Sequence, residues 1–577
     1  MIYKLKYIFS ALYGKINKPL FSLVFLMSLG MAFEFIGLGV IFPLILSLIQ
    51  PNELLEYGMI MTIYDSFNFN SESQLTYLFL FLILIVYLVK TIFMAYFAFK
   101  QNIIIGTLIS KMSYELYEIY LNQPFSFHTK NNSSTLIKNI QVEINYLSSF
   151  IMSVVNIIID VALILSIVVT LILVEPIGAL SVAIYFIFTG LVYYQIFKPF
   201  IRRWGEKRGV IEKSMIDTLI EGLQSIRELI LFSGINVYSK KFKELNNHYA
   251  LITAKNNTSQ QIPRFYFELS AIIGIILFVF VLITKENVNV NVLTIVGVFT
   301  AATFRIIPSL NRTVYSLQNI KFYTPSIDII YNELKGVNLN LRSNNYQNDI
   351  SFNRQLKLSK VYFKYESCSN WILENINLTI NRGDFIGLTG ESGAGKSTLV
   401  DLLAGIYKPN KGQILVDNTD INSDYLTTQN WINKIGYVSQ DIQLIDDNIK
   451  NNILLGIDQD KIDLDKVKHV IEKAGLKKFI ESLKEGLNTQ VGERGVKLSG
   501  GQRQRIGIAR ALYKNPSVLF FDEGTSALDN KIEKDVLKTI TNLMGDKTII
   551  MISHKLSTLK FCNKVYDINQ KKLIEVC

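Results

Sequence analysis

Gly390-Glu-Ser-Gly-Ala-Gly-Lys-Ser-Thr398 decides the fold of the C-terminal half of this chain. The stretch has the spacing G-x-x-x-x-G-K-[ST], in which small residues let successive backbone N–H groups turn inward around an anion while a lysine reaches the terminal phosphates of a nucleotide. Its flanks agree. Phe385-Ile-Gly-Leu-Thr389 is a short apolar run suited to a buried strand, and Thr398-Leu-Val-Asp-Leu-Leu-Ala404 has helical periodicity, so a helix N-terminus is aimed at the phosphates. Gly390, Glu391, Ser392, Gly393, Ala394, Gly395, Lys396, Ser397 and Thr398 are therefore expected to bind nucleotide.

Downstream, Val518-Leu-Phe-Phe-Asp522-Glu523 is an aliphatic strand ending in two adjacent carboxylates. The first is suited to hold Mg2+ with Ser397, and the second to orient an attacking water. His554 follows the apolar run Thr548-Ile-Ile-Met-Ile-Ser553, which sets its imidazole at the ligand-binding edge of the sheet, within reach of a γ-phosphate. Between these lies Leu498-Ser-Gly-Gly-Gln502, which resembles the signature sequence of ATP-binding cassette (ABC) ATPases. The resemblance runs from about Ser351 to Cys577, with the motifs in the family's order. It implies that Tyr365 stacks on adenine, that Gln440 is the Q-loop residue serving both metal and catalysis, and that Ser526-Ala-Leu-Asp529 is the D-loop. It further implies that His554 is the switch histidine and that Ser499, Gly500, Gly501 and Gln502 close on ATP held by a partner's phosphate loop. With one cassette per chain, a homodimer with two equivalent sites follows, with ATP and Mg2+ as cofactors.

The remainder is membrane-like. The chain has 577 residues, 49% of them hydrophobic, and a mean hydropathy of +0.27, too apolar for two ordinary soluble domains. The net charge of +11 is dispersed, as basic residues are on the cytosolic loops of membrane proteins, so nucleic acid is not an expected partner. Cys368, Cys562 and Cys577 lack metal spacing and read as thiols in a reducing compartment.

Met1 to Lys18 alternates apolar and basic residues, which suits an interfacial helix at the membrane surface. Runs long enough to cross a bilayer follow at Leu20–Ile49, Leu75–Ile105, Phe150–Val174, Ile177–Phe197, Phe265–Thr284 and Val292–Leu310, which makes six spans. Met1–Lys18, Lys100–Lys138 and Lys198–Lys255 are rich in Lys and Arg, whereas Gln50–Gln74 has neither and carries Glu53, Glu56, Asp65 and Glu72, so both termini are expected in the cytosol. Long basic tracts between spans 2 and 3 and between spans 4 and 5 resemble the exporter-type ABC membrane domain, whose helices run on into the cytosol and turn back through short coupling helices. Those turns are expected near Asn122–Lys130 and Gly222–Arg227. Thr489-Gln-Val-Gly-Glu-Arg-Gly495 resembles a segment that exporters carry just before the signature. The expected architecture is an α-helical six-span membrane domain over residues 1–332, a linker over 333–352 and an α/β P-loop ATPase domain over 353–577. By the same resemblance it forms a domain-swapped exporter-type homodimer in a bacterial cytoplasmic membrane.

The cargo is read from charges in apolar surroundings. Gln261-Ile-Pro-Arg264-Phe-Tyr-Phe-Glu268 and Phe304-Arg305-Ile-Ile-Pro308-Ser-Leu-Asn-Arg312 resemble the bacterial flippase of lipid-linked oligosaccharides, as does Tyr323-Thr-Pro-Ser-Ile-Asp-Ile-Ile-Tyr331. Lys90, Arg264, Arg305 and Arg312 lie in or at the rim of spans, where an uncompensated cation costs about 2.5–3.5 kcal/mol at mid-depth. Either they line a cavity for an anionic lipid-linked headgroup, gripped bidentately, or acids such as Glu34, Asp160 and Glu268 pair with them internally. The expected function is ATP-driven flipping of a polyisoprenyl-diphosphate-linked oligosaccharide for protein glycosylation, with membrane lipids around it. The alternative is export of a peptide or small amphiphile; that no peptidase domain precedes Met1 weakens the case for a leader-processing peptide transporter without removing it. A helical external segment at Pro51–Ser73 is expected to cap the outer mouth or meet the lipid tail.

Overall fold

The computed structural model describes residues 1–12, 22, 25–30, 32–33, 36–37, 40, 44, 72–174, 176–284, 290–337, 350–366, 368–522, 537–553 and 555–576. Within these, the side chain of Arg305 and those of several residues at the apolar helix ends are outside the description. Glu34, Pro51–Ser71, Glu523, the Ser526–Asp529 stretch, His554 and Cys577 are outside it altogether. The chain divides into two units, the first comprising Met1–Gln123 and His128–Asn340, the second Pro124–Phe127 and Leu341–Cys577.

Unit 1 is helical. Its elements are α1 (Ile2–Leu12), α2 (Glu72–Leu121), the second half of α3 (Phe125–Lys130), α4 (Ser133–Lys138), α5 (Ile144–Val174), α6 (Pro176–Gln224), α7 (Ile226–Leu231), α8 (Ile235–Thr284) and α9 (Val290–Gly336). At 1.5 Å per residue the 50-residue α2 and α8 run for roughly 75 Å, well over twice the thickness of a hydrocarbon core, so much of each lies beyond any bilayer. Among the described residues three stretches are long and apolar enough to cross a membrane, Gln74–Leu121, Ser133–Val169 and Ala183–Gln224. Along α2, Tyr77, Phe81, Leu84, Ile92 and Phe99 are all exposed, the outward apolar surface a lipid-facing helix presents.

The long helices turn back within the basic tracts. One turn carries the short α3 and α4, then a π-helical segment at Asn139–Glu143; the other carries α7, starting at Ile226. Helix α9 runs unbroken to Gly336; a helix with internal Pro308 and Pro325 persists because its packing against α5, α6 and α8 outweighs two missing N–H groups. Helix α1 also buries its apolar side in protein: Ile8 and Leu12 are fully covered, and Lys4 reaches Asp328 of α9 at 2.6 Å.

Unit 2 is α/β. A four-stranded antiparallel sheet, in the order β2-β1-β4-β5, is built from β1 (Gln355–Phe363), β2 (Leu373–Asn381), β4 (Lys411–Val416) and β5 (Thr419–Asp420). A six-stranded sheet has the order β10-β9-β3-β8-β7-β6, with β3 (Phe385–Gly390), β6 (Ile435–Val438), β7 (Val518–Asp522), β8 (Thr548–Ile552), β9 (Lys564–Asn569) and β10 (Lys572–Glu575). Strands β9, β3, β8, β7 and β6 are parallel neighbours. Every residue of β7 and β8 is buried, as continuous apolar strands covered on both faces require. The C-terminal ends of β3, β7 and β8 therefore open on one edge, where ligands of such sheets bind.

Candidate functional site

At that edge β3 ends in Gly390 and the chain loops into α10 (Lys396–Leu403). Gly390 has φ +142° and a Cβ there would lie 2.7 Å from the Ile568 carbonyl oxygen, so only glycine fits. Gly393 and Gly395 also hold positive φ. Lys396 is 6% exposed, and its ammonium donates to the Gly390 and Glu391 carbonyls at 2.9 and 2.8 Å, which centres one positive charge in the ring of backbone groups. Tyr365 stands beside it: its hydroxyl is 3.0 Å from Thr398 Oγ1, and its ring packs edge-on to Phe363 and Tyr407.

Across the edge, Asp522 ends β7, 8% exposed. Ser397 donates to its Oδ1 at 3.3 Å, which sets a hydroxyl and a carboxylate side by side. Both are hard oxygen donors, and with nucleotide phosphate they fit Mg2+. Gln440 lies in an exposed turn two residues past β6. Ser499 caps α11 (Gly500–Tyr513) in a capping box, its Oγ accepting from Gln502 N at 3.3 Å and its own N–H donating to Gln502 Oε1 at 2.8 Å. Ser499 and Gly500 are exposed at the tip of that helix, whereas Gly501 is buried.

Two residues at this site escaped the sequence reading. Tyr437, on β6, donates from its hydroxyl toward Asp522 Oδ2 and toward Asp401 Oδ1, each at 3.4 Å. Burial, then the neighbouring Asp522 carboxylate, push Asp401 up to about 6, against the lowering effect of the Tyr437 hydrogen bond. Asp401 was findable: it stands four residues after Ser397 on one helix, hence on the same face. Tyr437 had no such local signal, because its position depends on β6 lying beside β7.

Unit 1 contains a second candidate site, a cavity of about 510 Å³ lined by α2, α5, α9 and residues near Met27. Of the cations singled out in the sequence, Arg312 lines it. Its Nε and Nη2 both reach Asp160 Oδ1 at 2.8 Å; Arg312 is 57% exposed and Asp160 only 2%. Arg264 is exposed and pairs with Glu268 at 3.0 Å one turn along α8. Lys90 is buried with its ammonium 5.0 Å from the centre of the Tyr87 ring. Arg305 lies on α9, its side chain outside the described residues.

The ABC transporter family profile matches residues 373–526. Over 220 residues, 38% of this chain and 30% of the relative, the chain is 46% identical to the alpha-hemolysin translocation ATP-binding protein HlyB of Escherichia coli O157:H7. Over 241 residues, 41% of this chain and 33% of the relative, it is 40% identical to the exotoxin translocation ATP-binding protein PaxB of Pasteurella aerogenes. The chain thus matches about a third of the length of these curated relatives. A solved structure of a bacterial Atm1-family ABC exporter with ATP bound superposes with a TM-score of 0.79 at 21% identity, covering 98% of this chain and 95% of that one. Unit 2 is an ABC transporter ATPase domain, carried by a chain with the fold of an ABC exporter.

Proposed function

We propose that the chain is one half of a homodimeric exporter that spends ATP to move a peptide or small amphiphile out of the cytosol across a bacterial cytoplasmic membrane. The observation that carries the cargo reading is the Arg312–Asp160 pair: the cavity's arginine already has a carboxylate on it, so the wall is compensated rather than cationic. The toxin-translocating relatives favour the same choice. In the ATPase unit, Lys396 and the loop N–H groups hold the phosphates, and Ser397, Asp522 and Gln440 hold Mg2+, which neutralises charge on the transferred phosphoryl group. Glu523 orients the water and His554 faces the γ-phosphate; Ser499 to Gln502 complete the partner's site. Six spans, a domain-swapped arrangement and cytosolic ATPase units belong to this proposal.

A second reading keeps the lipid-linked oligosaccharide flippase. One observation favours it: the Arg312 guanidinium, though paired, is more than half exposed, and no described residue takes its Nη1. Proteoliposomes given ATP on the outside, where it energises the inside-out molecules, separate the readings. ATP-dependent uptake of an amphipathic peptide or alkyl amphiphile, with none of a fluorescent polyisoprenyl-diphosphate sugar, is the expected result; the reverse pattern establishes the flippase.

A further inference from the structure

The Asp160 carboxylate is used on one side only. Both Arg312 nitrogens go to Oδ1, whereas Oδ2 is buried and meets no hydrogen-bond donor among the described residues. A carboxylate accepts through both oxygens, and a buried acceptor left unmet is a standing selection for a donor. The neighbouring Gln101 amide does not meet that need, since it donates to Asn156 Oδ1 and to Met152 Sδ, each at 3.2 Å. Apart from Ser309, which accepts from Arg312 at 3.5 Å, the rest of the wall is apolar, with Met27, Met94, Phe97 and Leu163 facing the same space. At about 510 Å³ the cavity has the size of a small-molecule pocket, enough for a charged head and an aliphatic tail.

Resting on the export reading above, we propose that this cavity takes the head of a small cationic amphiphile, whose ammonium donates to Asp160 Oδ2 while its tail lies among the methionines, Phe97 and Leu163. An anionic head fits poorly here. It would have to take Arg312 from Asp160 and would bring a second negative charge against a carboxylate that is 2% exposed. A cation adds to the pair instead, giving the carboxylate its second partner without displacing the first.

The test uses the full chain in lipid nanodiscs and a twelve-carbon alkylamine bearing a diazirine. Photolabelling is mapped to the peptide containing Ile159–Leu163 and competed with unlabelled dodecylamine or dodecyl phosphate. We expect dodecylamine to suppress labelling about tenfold at concentrations where dodecyl phosphate leaves it unchanged. Asp160→Asn should lower labelling by a similar factor and Asp160→Glu should restore most of it. Equal competition by the phosphate, or full labelling of a monodisperse Asp160→Asn protein, overturns the proposal. Should Asp160→Asn not fold, the wild-type competition decides alone. Transport is read separately: a protein that labels but does not move the amine keeps the site and loses the exporter reading. One that exports another cargo while ignoring the amine loses the site and keeps the exporter.

Discussion

The hydroxyl of Tyr437 has one proton and two carboxylates to serve, Asp401 and Asp522. Asp401, held at about 6 by burial and by Asp522, is therefore costly to ionise in the folded protein. The sign follows from linkage: its folded pKa lies above the unfolded value near 4, so stability is lost as pH rises through the window from about 4 to about 6. With partial solvent screening the loss is roughly 1–2 kcal/mol. Asp401→Asn should then raise Tm at pH 8 and change it far less near pH 3, where the Asp401 carboxyl is protonated in the folded and the unfolded chain alike; equal shifts at the two pH values would refute the assignment. At Glu523 the expectation is chemical. Glu523→Gln should keep ATP binding and lose nearly all turnover, because an amide keeps the shape but neither accepts the water's proton nor supplies the field. Wild-type turnover, with contaminating ATPases excluded, would remove this carboxylate from its role. The phosphate loop was legible residue by residue because local spacing dictates its geometry. Asp160 was legible as an acid suited to pair with a span cation, but that the cation is Arg312 was not, since the two are 152 residues apart and only the packing of α9 on α5 joins them.

Helices α5, α6 and α9 meet beyond the apolar windows in a close crossing that sequence periodicity could not announce. A Cβ on Gly205 of α6 would stand 2.4 Å from the Phe322 carbonyl oxygen of α9, so the two backbones touch there. One turn on, Arg208 is 2% exposed, lies 3.8 Å from the centre of the Tyr146 ring and 4.8 Å from that of Phe322, and donates to Ser326 at 3.1 Å. Glu212, which Tyr146 also reaches at 2.9 Å, supplies its counter-charge at 3.9 Å. Gly205→Ala must part the helices and should cost about 1–3 kcal/mol. Arg208→Ala should cost about 3–5 kcal/mol, because it strands Glu212 without its cation. Thermal melting in detergent measures both, and a near-neutral Arg208→Ala would show the cage to be dispensable. Helix existence was readable from apolar runs and basic tracts. The close approach was not, because one glycine and one arginine among many carry no local mark of which partner they face.

At the scale of the whole molecule, the proposed ATPase site is closed by groups of a second copy. Ser499 and Gly500 stand exposed at the tip of α11, with the Ser499 hydroxyl fixed by its capping box. Such a tip presents an N-terminal helix dipole and a fixed hydroxyl suited to a phosphate. If it serves the partner's phosphate loop, damage to the loop in one protomer and to the tip in the other falls on a single composite site. Lys396→Ala homodimers and Ser499→Arg homodimers should each be inactive, having both sites damaged. Mixed dimers of the two should recover, because one site carries both lesions and the other carries neither. With random pairing half the dimers are mixed and each has one sound site, so activity should return to roughly a quarter of wild type if the sites act independently. Sites built within a protomer predict the opposite: every site in the mixture would carry a lesion, and mixing would restore nothing.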